Sequence, residues 1–243
     1  MKALLLAAGC GARLRPITDR IPKCLVPIGG RPLLDYWLEL LFGQGATEVL
    51  INTHYLAEQV ERHVRSGPWS DRISLVYEPE LLGTGGTLLK NRAFAGNEPL
   101  LVAHADNLTF FDLEAFWDVH RARGDQVALT MMTFMTDTPH SCGIVEVSGR
   151  GLVDAFHEKV ANPPGNLANA AIYIVNPEVV DFIARLGRAT VDFSTEVIPP
   201  FLGRIAVHMG CLYLRDIGTP ESLAKAEKDI ALLRRLLPAP TLP

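Results

Sequence analysis

Two glycines and two arginines stand together in Gly9-Cys10-Gly11-Ala12-Arg13-Leu14-Arg15-Pro16, directly behind the apolar run Lys2 to Ala8. Glycines let backbone N–H groups approach phosphate oxygens closely, and arginine can grip phosphate with two parallel bonds. Lys23 adds a third cation to the same connection, where Pro16, Pro22 and Pro27 restrict the backbone on either side. Such a loop suits a polyphosphate. It is not the dinucleotide fingerprint, because Leu14 fills the place of the last glycine, and no Lys-Ser/Thr follows to make a Walker-type loop. On spacing alone the segment is equally a structural turn with solvated cations.

A loop can do this chemistry only if the chain around it holds it at the end of a strand. Lys2 to Ala8 reads as a strand buried on both faces. Leu33, Leu34, Trp37, Leu38, Leu41 and Phe42 share one helical face, with Pro32 at the first turn and Gly43 and Gly45 as stops. The alternation continues: strand Glu48 to Asn52, helix Ala57 to Arg65, strand Ile73 to Tyr77, helix Thr87 to Phe94, strand Leu100 to Ala103, helix Leu113 to Arg123. Strands separated by helices imply parallel crossover units. The second half has another texture, with strands Val127 to Phe134, Gly143 to Val147, Leu152 to His157, Asn169 to Val175 and Cys211 to Leu214. That half reads as a mixed sheet. Helices follow at Glu178 to Leu186 and Ser194 to Phe201, and Thr219-Pro220-Glu221 opens a last helix reaching about Leu237. The expectation is an α/β, Rossmann-like fold: a mostly parallel central sheet, helices on both faces, and a mixed-sheet half. A single domain spans 1–237, with a Pro-rich tail at 238–243.

Length and composition narrow the function. The 243 residues can bury a full core, and 48% hydrophobic with 21% charged residues is the mixture of a globular protein. A net charge of -4 lacks the basic footprint of a nucleic-acid binder. No apolar stretch is long enough to span a membrane. Cys10, Cys24, Cys142 and Cys211 form no C-x-x-C pair, so reduced thiols in a cytoplasm are expected. His104 near Asp106, and His157 beside Glu158, repeat no transition-metal spacing.

The string Leu4 to Thr18 followed by Pro22-Lys23-Cys24-Leu25-Val26-Pro27-Ile28 resembles the signature of sugar-1-phosphate nucleotidyltransferases. Further segments match in order: Leu82-Gly83-Thr84-Gly85-Gly86-Thr87, Asp106-Asn107, Phe156-His157-Glu158-Lys159, Asn169-Ala170 and Asp216-Ile217-Gly218-Thr219-Pro220. The resemblance implies transfer of a nucleotidyl group from a nucleoside triphosphate to a sugar 1-phosphate, with Mg²⁺ as cofactor. It implies Arg13, Lys23, Asp106 and Asp216 as the catalytic group, with Asp106 and Asp216 on the metal. Leu6, Ala8, Gly9, Gly11, Arg13, Lys23, Glu78, Gly83 and Thr84 fall to the nucleotide, and Gly143, Glu158, Lys159 and Asn169 to the sugar phosphate. Without it, Asp106 reads as a helix cap, Asp216 as a turn residue and Glu158-Lys159 as a surface ion pair.

Ala12 departs from the pattern, since many relatives place a hydroxyl there. Glu78 stands where uracil- or thymine-binding relatives carry glutamine. A carboxylate only accepts, and guanine offers it two adjacent donors, so GTP is expected, with a mannose or manno-configured heptose 1-phosphate as acceptor. The alternatives are UTP with an amino-sugar 1-phosphate, a non-catalytic nucleotide-sugar-binding regulator, and a glycosyltransferase, which Asp106-Asn107-Leu108 disfavours for want of an Asp-x-Asp pair. Nucleic acid and membrane are not expected partners, and a homo-oligomer is compatible with the sequence.

Overall fold

The computed structural model describes residues 1–236, and the expected tail at 238–243 lies outside the described residues. In chain order the elements are β1 (Lys2–Leu6), β2 (Pro27–Ile28), β3 (Arg31–Pro32), α1 (Leu33–Gly43), β4 (Glu48–Thr53), α2 (Ala57–Ser66), β5 (Ile73–Tyr77), α3 (Gly83–Lys90), α4 (Arg92–Ala95), β6 (Leu100–His104), β7 (Asn107–Phe111) and α5 (Leu113–Ala122). There follow β8 (Leu129–Met135), β9 (Gly143–Val147), β10 (Val153–Glu158), β11 (Leu167–Val175), α6 (Pro177–Arg185), β12 (Ile205–His208), β13 (Cys211–Asp216) and α7 (Pro220–Leu236). They gather into two compact units: among the described residues, 1–81, 104–110 and 212–236 form the first, 82–103 and 111–211 the second.

In the first unit, β1, β4 and β5 lie parallel, with Leu4 opposite Leu50 and Ile51 opposite Leu75. Ala3, Leu4 and Leu5 are buried, as a strand covered on both faces requires. α1 buries the expected apolar face, whereas α2 buries only Val60 and Val64. β7 and β13 form a separate two-stranded sheet, tied where Thr109 Oγ1 donates to the Tyr213 carbonyl at 3.0 Å.

One hydrophobic cluster in this unit sets the positions of the charged residues. Leu14 from the glycine loop, Leu108 from β7, Ile217 behind β13 and Ala226 and Ile230 from α7 pack together with Val26, Ile28 and Leu33. Each such buried aliphatic side chain contributes roughly 1.5–3 kcal/mol. Arg13 precedes Leu14, Asp216 precedes Ile217 and Asp106 lies two residues before Leu108, so the same burial fixes three charged neighbours.

In the second unit β11 is the hub: it runs antiparallel to β6, β8 and β9, β10 is antiparallel to β9, and β12 pairs parallel with β8. The expected α/β class, a parallel part and a mixed part, is what the chain adopts. Three local expectations change. Asn107–Phe111 is a strand, and the cap of α5 is Asp112, which accepts from the Ala115 N–H at 2.9 Å. α3 starts at Gly83 rather than Thr87. Ser194 to Phe201 is not one helix but a π-turn over Phe193–Val197 followed by a 3₁₀ turn over Pro199–Phe201. No helix among the described residues is long and apolar enough to cross a membrane.

Candidate active site

β1 ends at Leu6, whose carbonyl accepts from the Ala105 N–H at 3.0 Å, and this bond brings the approach to Asp106 beside the start of the loop. The next residue, Ala7, donates its N–H to the buried Asn52 Oδ1 at 2.8 Å. Ala8 is buried and Gly9 exposed. Gly11 sits at φ 62, and a Cβ there would lie 2.8 Å from the Thr18 methyl and 3.3 Å from Lys23 Cβ. The position therefore needs glycine for both conformation and space. Thr18, fully buried, donates to the Gly11 carbonyl at 2.8 Å. Asn52 and Thr18 clamp the loop, and sequence reasoning passed over both; a polar side chain inside an apolar strand was the available signal for Asn52.

Lys23 lies between the two aspartates. Its Nζ donates to Asp106 Oδ2 at 2.8 Å and to Asp216 Oδ1 at 2.7 Å, with the side chain only 7% exposed. Arg13 Nη2 approaches the other Asp216 oxygen at 3.3 Å. Chain segments nearly 200 residues apart thus form one cluster of two cations and two anions. Gly218 belongs to it as well, since a Cβ there would stand 2.8 Å from both Arg13 Nη2 and Asp216 Oδ2.

Burial pulls the Lys23 pKa down, but Asp106 and Asp216 outweigh it, so the ammonium is held above its usual value. Burial likewise favours the neutral acid at Asp106, and Lys23 and His104 outweigh it, so that carboxyl titrates below the usual range. Both groups stay charged across neutral pH. Burial pushes the Cys24 thiol up to about 12, leaving it protonated and no nucleophile.

The donor set fits Mg²⁺. Two hard carboxylate oxygens already converge on a single cationic centre, and Mg²⁺ takes one or two carboxylates plus substrate phosphates and water. No cluster of three or more His, Cys, Asp or Glu occurs among the described residues, and His157 instead pairs with Glu146 at 2.7 Å.

Glu78 follows β5 and is 1% exposed, not a solvent-facing strand end. Its N–H donates to the Thr53 carbonyl at 2.8 Å, and its carbonyl meets His54 Nδ1 at 2.7 Å.

In the second unit, Gly83 opens α3 at φ +70, where a Cβ would fall 2.6 Å from the Val191 carbonyl oxygen. That same oxygen accepts from the N–H groups of Gly85 at 3.0 Å and Gly86 at 3.3 Å. Thr84 lies between Gly83 and Gly85 in the first turn. Gly143 faces Glu158 across β9 and β10, and a Cβ there would meet Phe156 at 2.5 Å and Glu158 Oε2 at 2.7 Å. Lys159 has φ 51 and reaches Glu158 Oε1 at 3.1 Å. Asn169 Nδ2 donates to the Tyr173 hydroxyl at 2.7 Å and its Oδ1 accepts from Ala171 N–H at 3.0 Å, inside an irregularity of β11.

A glycine loop at a strand end, two converging aspartates and a buried lysine thus meet on an α/β fold. The model of the nucleotidyl transferase family matches residues 2–232, and the chain belongs to that family. It is 32% identical over 245 residues to the mannose-1-phosphate guanylyltransferase of Mycobacterium tuberculosis, covering 99% of this chain and 67% of that protein. It is 33% identical over 197 residues to the UTP--glucose-1-phosphate uridylyltransferase of Synechocystis, covering 75% of this chain and 51% of that protein. The chain spans about half to two thirds of the length of these curated relatives. Among solved structures, HddC from Yersinia pseudotuberculosis shares the fold, with TM-score 0.79 at 23% identity over 94% of this chain and 99% of that one.

Proposed function

We propose that the chain joins a nucleoside triphosphate, GTP in preference, to a sugar 1-phosphate. A sugar-phosphate oxygen bonds to the α-phosphorus, the bond from that phosphorus to the bridging oxygen breaks, and pyrophosphate leaves with the electron pair. The enzyme supplies no nucleophile. Its task is to bring two anions together and stabilise the charge of an in-line transition state. The observation that carries the reading is Lys23 held between Asp106 and Asp216 beside a clamped glycine loop.

Arg13 is assigned to the β- and γ-phosphates and Lys23 to the α-phosphate. Asp106 and Asp216 would hold Mg²⁺, which when bound neutralises phosphate charge and fixes phosphate orientation. Backbone groups at Leu6, Ala8, Gly9, Gly11, Gly83 and Thr84 serve the nucleotide. Lys159 takes the sugar's phosphate, while Glu158, Asn169 and the Gly143 backbone take its hydroxyls. Four free thiols suit a reducing cytoplasm.

Two observations favour guanine: the acceptor-only carboxylate of Glu78, and a relative named for guanylyl transfer to mannose 1-phosphate. A mannose or manno-configured heptose 1-phosphate is the acceptor in this reading. The Synechocystis relative supports a second reading, uridylyl transfer. A panel of four nucleoside triphosphates and several sugar 1-phosphates, read by pyrophosphate release, separates them. GTP is expected to lead by about 5- to 150-fold, the scale of one bidentate base contact, and Glu78→Gln to shift the ranking toward UTP. No pyrophosphate from any pair overturns the activity; an unchanged ranking in Glu78→Gln removes Glu78 from the base.

A further inference from the structure

The carboxylates assigned to the metal hold a cation of the protein's own. Lys23 Nζ is within 2.8 Å of Asp106 Oδ2 and 2.7 Å of Asp216 Oδ1, and Arg13 takes the remaining Asp216 oxygen at 3.3 Å. A divalent ion held by those carboxylates would put a second positive centre against the Lys23 ammonium. Two positive centres so close repel each other strongly in a site shielded from water. Lys23 must therefore withdraw for the metal to enter, and, 7% exposed, it cannot simply turn into solvent. A triphosphate offers it a new anionic partner.

We propose that Lys23 is a built-in stand-in for the metal: it closes the Asp106–Asp216 site in the free chain and releases it only when a nucleotide's phosphates draw the ammonium away. Metal and nucleotide consequently load as a coupled pair. Either one alone leaves a charge of the cluster without its counter-charge, which is costly in a shielded site; together they satisfy all four charged residues. The coupling is reciprocal: nucleotide tightens metal binding by the factor by which metal tightens nucleotide binding. The inference rests on the assignment of Asp106 and Asp216 to the metal.

The test uses Mn²⁺ as probe, with free Mn²⁺ counted by electron paramagnetic resonance on nucleotide-free protein. Wild type is expected to bind weakly. Lys23→Met, which keeps the stem and removes the charge, should bind one Mn²⁺ per chain roughly 10- to 100-fold more tightly, the scale of one or two charge-assisted bonds. Lys23→Met/Asp106→Asn should lose that gain. Should Lys23→Met be poorly stable, its melting temperature is the second readout: Mn²⁺ should raise it, as a ligand binding only the folded state must, and leave wild type unmoved.

Equal Mn²⁺ affinity in wild type and Lys23→Met, lost in both on Asp106→Asn, overturns the guarding role while leaving the metal site standing. Tight Mn²⁺ binding that survives both Asp106→Asn and Asp216→Asn overturns the inference differently, by showing that these carboxylates are not the metal site.

Discussion

The two charged groupings assigned to substrate are built on opposite principles. In the first unit, Lys23, Asp106, Asp216 and Arg13 come from distant segments, and the lysine between the carboxylates is 7% exposed. In the second, Glu158 and Lys159 are chain neighbours, and the lysine side chain is 65% exposed. An exposed pair of that kind contributes about 0–1 kcal/mol, so nothing in its energetics holds Lys159 in place. Its backbone is held instead, by the Lys159 N–H bond to the Cys142 carbonyl at 3.1 Å and by the left-handed conformation at φ 51. The first grouping is preorganised by charge and the second by main chain. A rigid cluster suits a transition state whose geometry does not vary with substrate, and an exposed, weakly paired ammonium on a fixed backbone suits capture of a phosphate.

Breaking the first grouping has the largest expected effect. Asp106→Ala removes one of the two Lys23 partners and one of the carboxylates proposed for the metal. Pyrophosphate release should fall at least about 10²- to 10³-fold, the scale for losing one preorganised charge-stabilising group, while circular dichroism shows an intact fold because Leu108 still anchors β7. Near-normal release would remove Asp106 from the site and erase the contrast between the groupings.

Lys159→Ala tests the other side with a smaller effect. The lost contact is charge-assisted, about 1.5–3 kcal/mol, and the exposed Glu158 pairing lost with it contributes about 0–1 kcal/mol. The apparent KM for the sugar phosphate should rise about 10-fold or more with little change in that for the nucleotide. An effect confined to the nucleotide would reverse the assignment.

How much of this was legible in the sequence follows the range of the interactions. α1, β4, β5 and β11 declare themselves by local periodicity. β7 does not: five residues, Asn-Leu-Thr-Phe-Phe, become a strand because β13 lies alongside, about 100 positions later in the chain. β12 is four residues paired with β8. The start of α3 at Gly83 was hidden because Gly-Thr-Gly-Gly is poor helix sequence; the Val191 carbonyl and the space only glycine leaves hold it there. The cluster residues were named through the ordered motifs, but no spacing rule brings position 23 between 106 and 216. The motifs assign Lys23 to a phosphate, and its two protein partners appear only in three dimensions.

The contrast between the units extends to their histidines, where the expected effects are smallest and opposite in sign. In the first unit, His63 Nε2 meets Asp35 Oδ1 at 2.6 Å, and that bond raises the imidazole pKa against the effect of burial. Its contribution is full below the unfolded value near 6.5 and is lost as pH rises through the raised folded value. In the second unit, burial and the nearby Arg123 lower His120 to about 4. Thr130 Oγ1 lies 2.8 Å from its Nδ1 and Asn176 Oδ1 lies 3.2 Å from its Nε2, an arrangement that a neutral ring satisfies. That contribution is present above pH 6.5 and is lost as pH falls toward 4, by about 1–3 kcal/mol at most. Hydrogen-exchange protection should therefore weaken in α5 and β8 between pH 6.5 and 5, and in α2 as pH rises above 6.5, where the partly exposed pair supports less than about 1 kcal/mol. His120→Gln should flatten the acid limb and His63→Asn the alkaline one. If both units lost protection on the same side of neutrality, the opposed roles of the two histidines would be wrong.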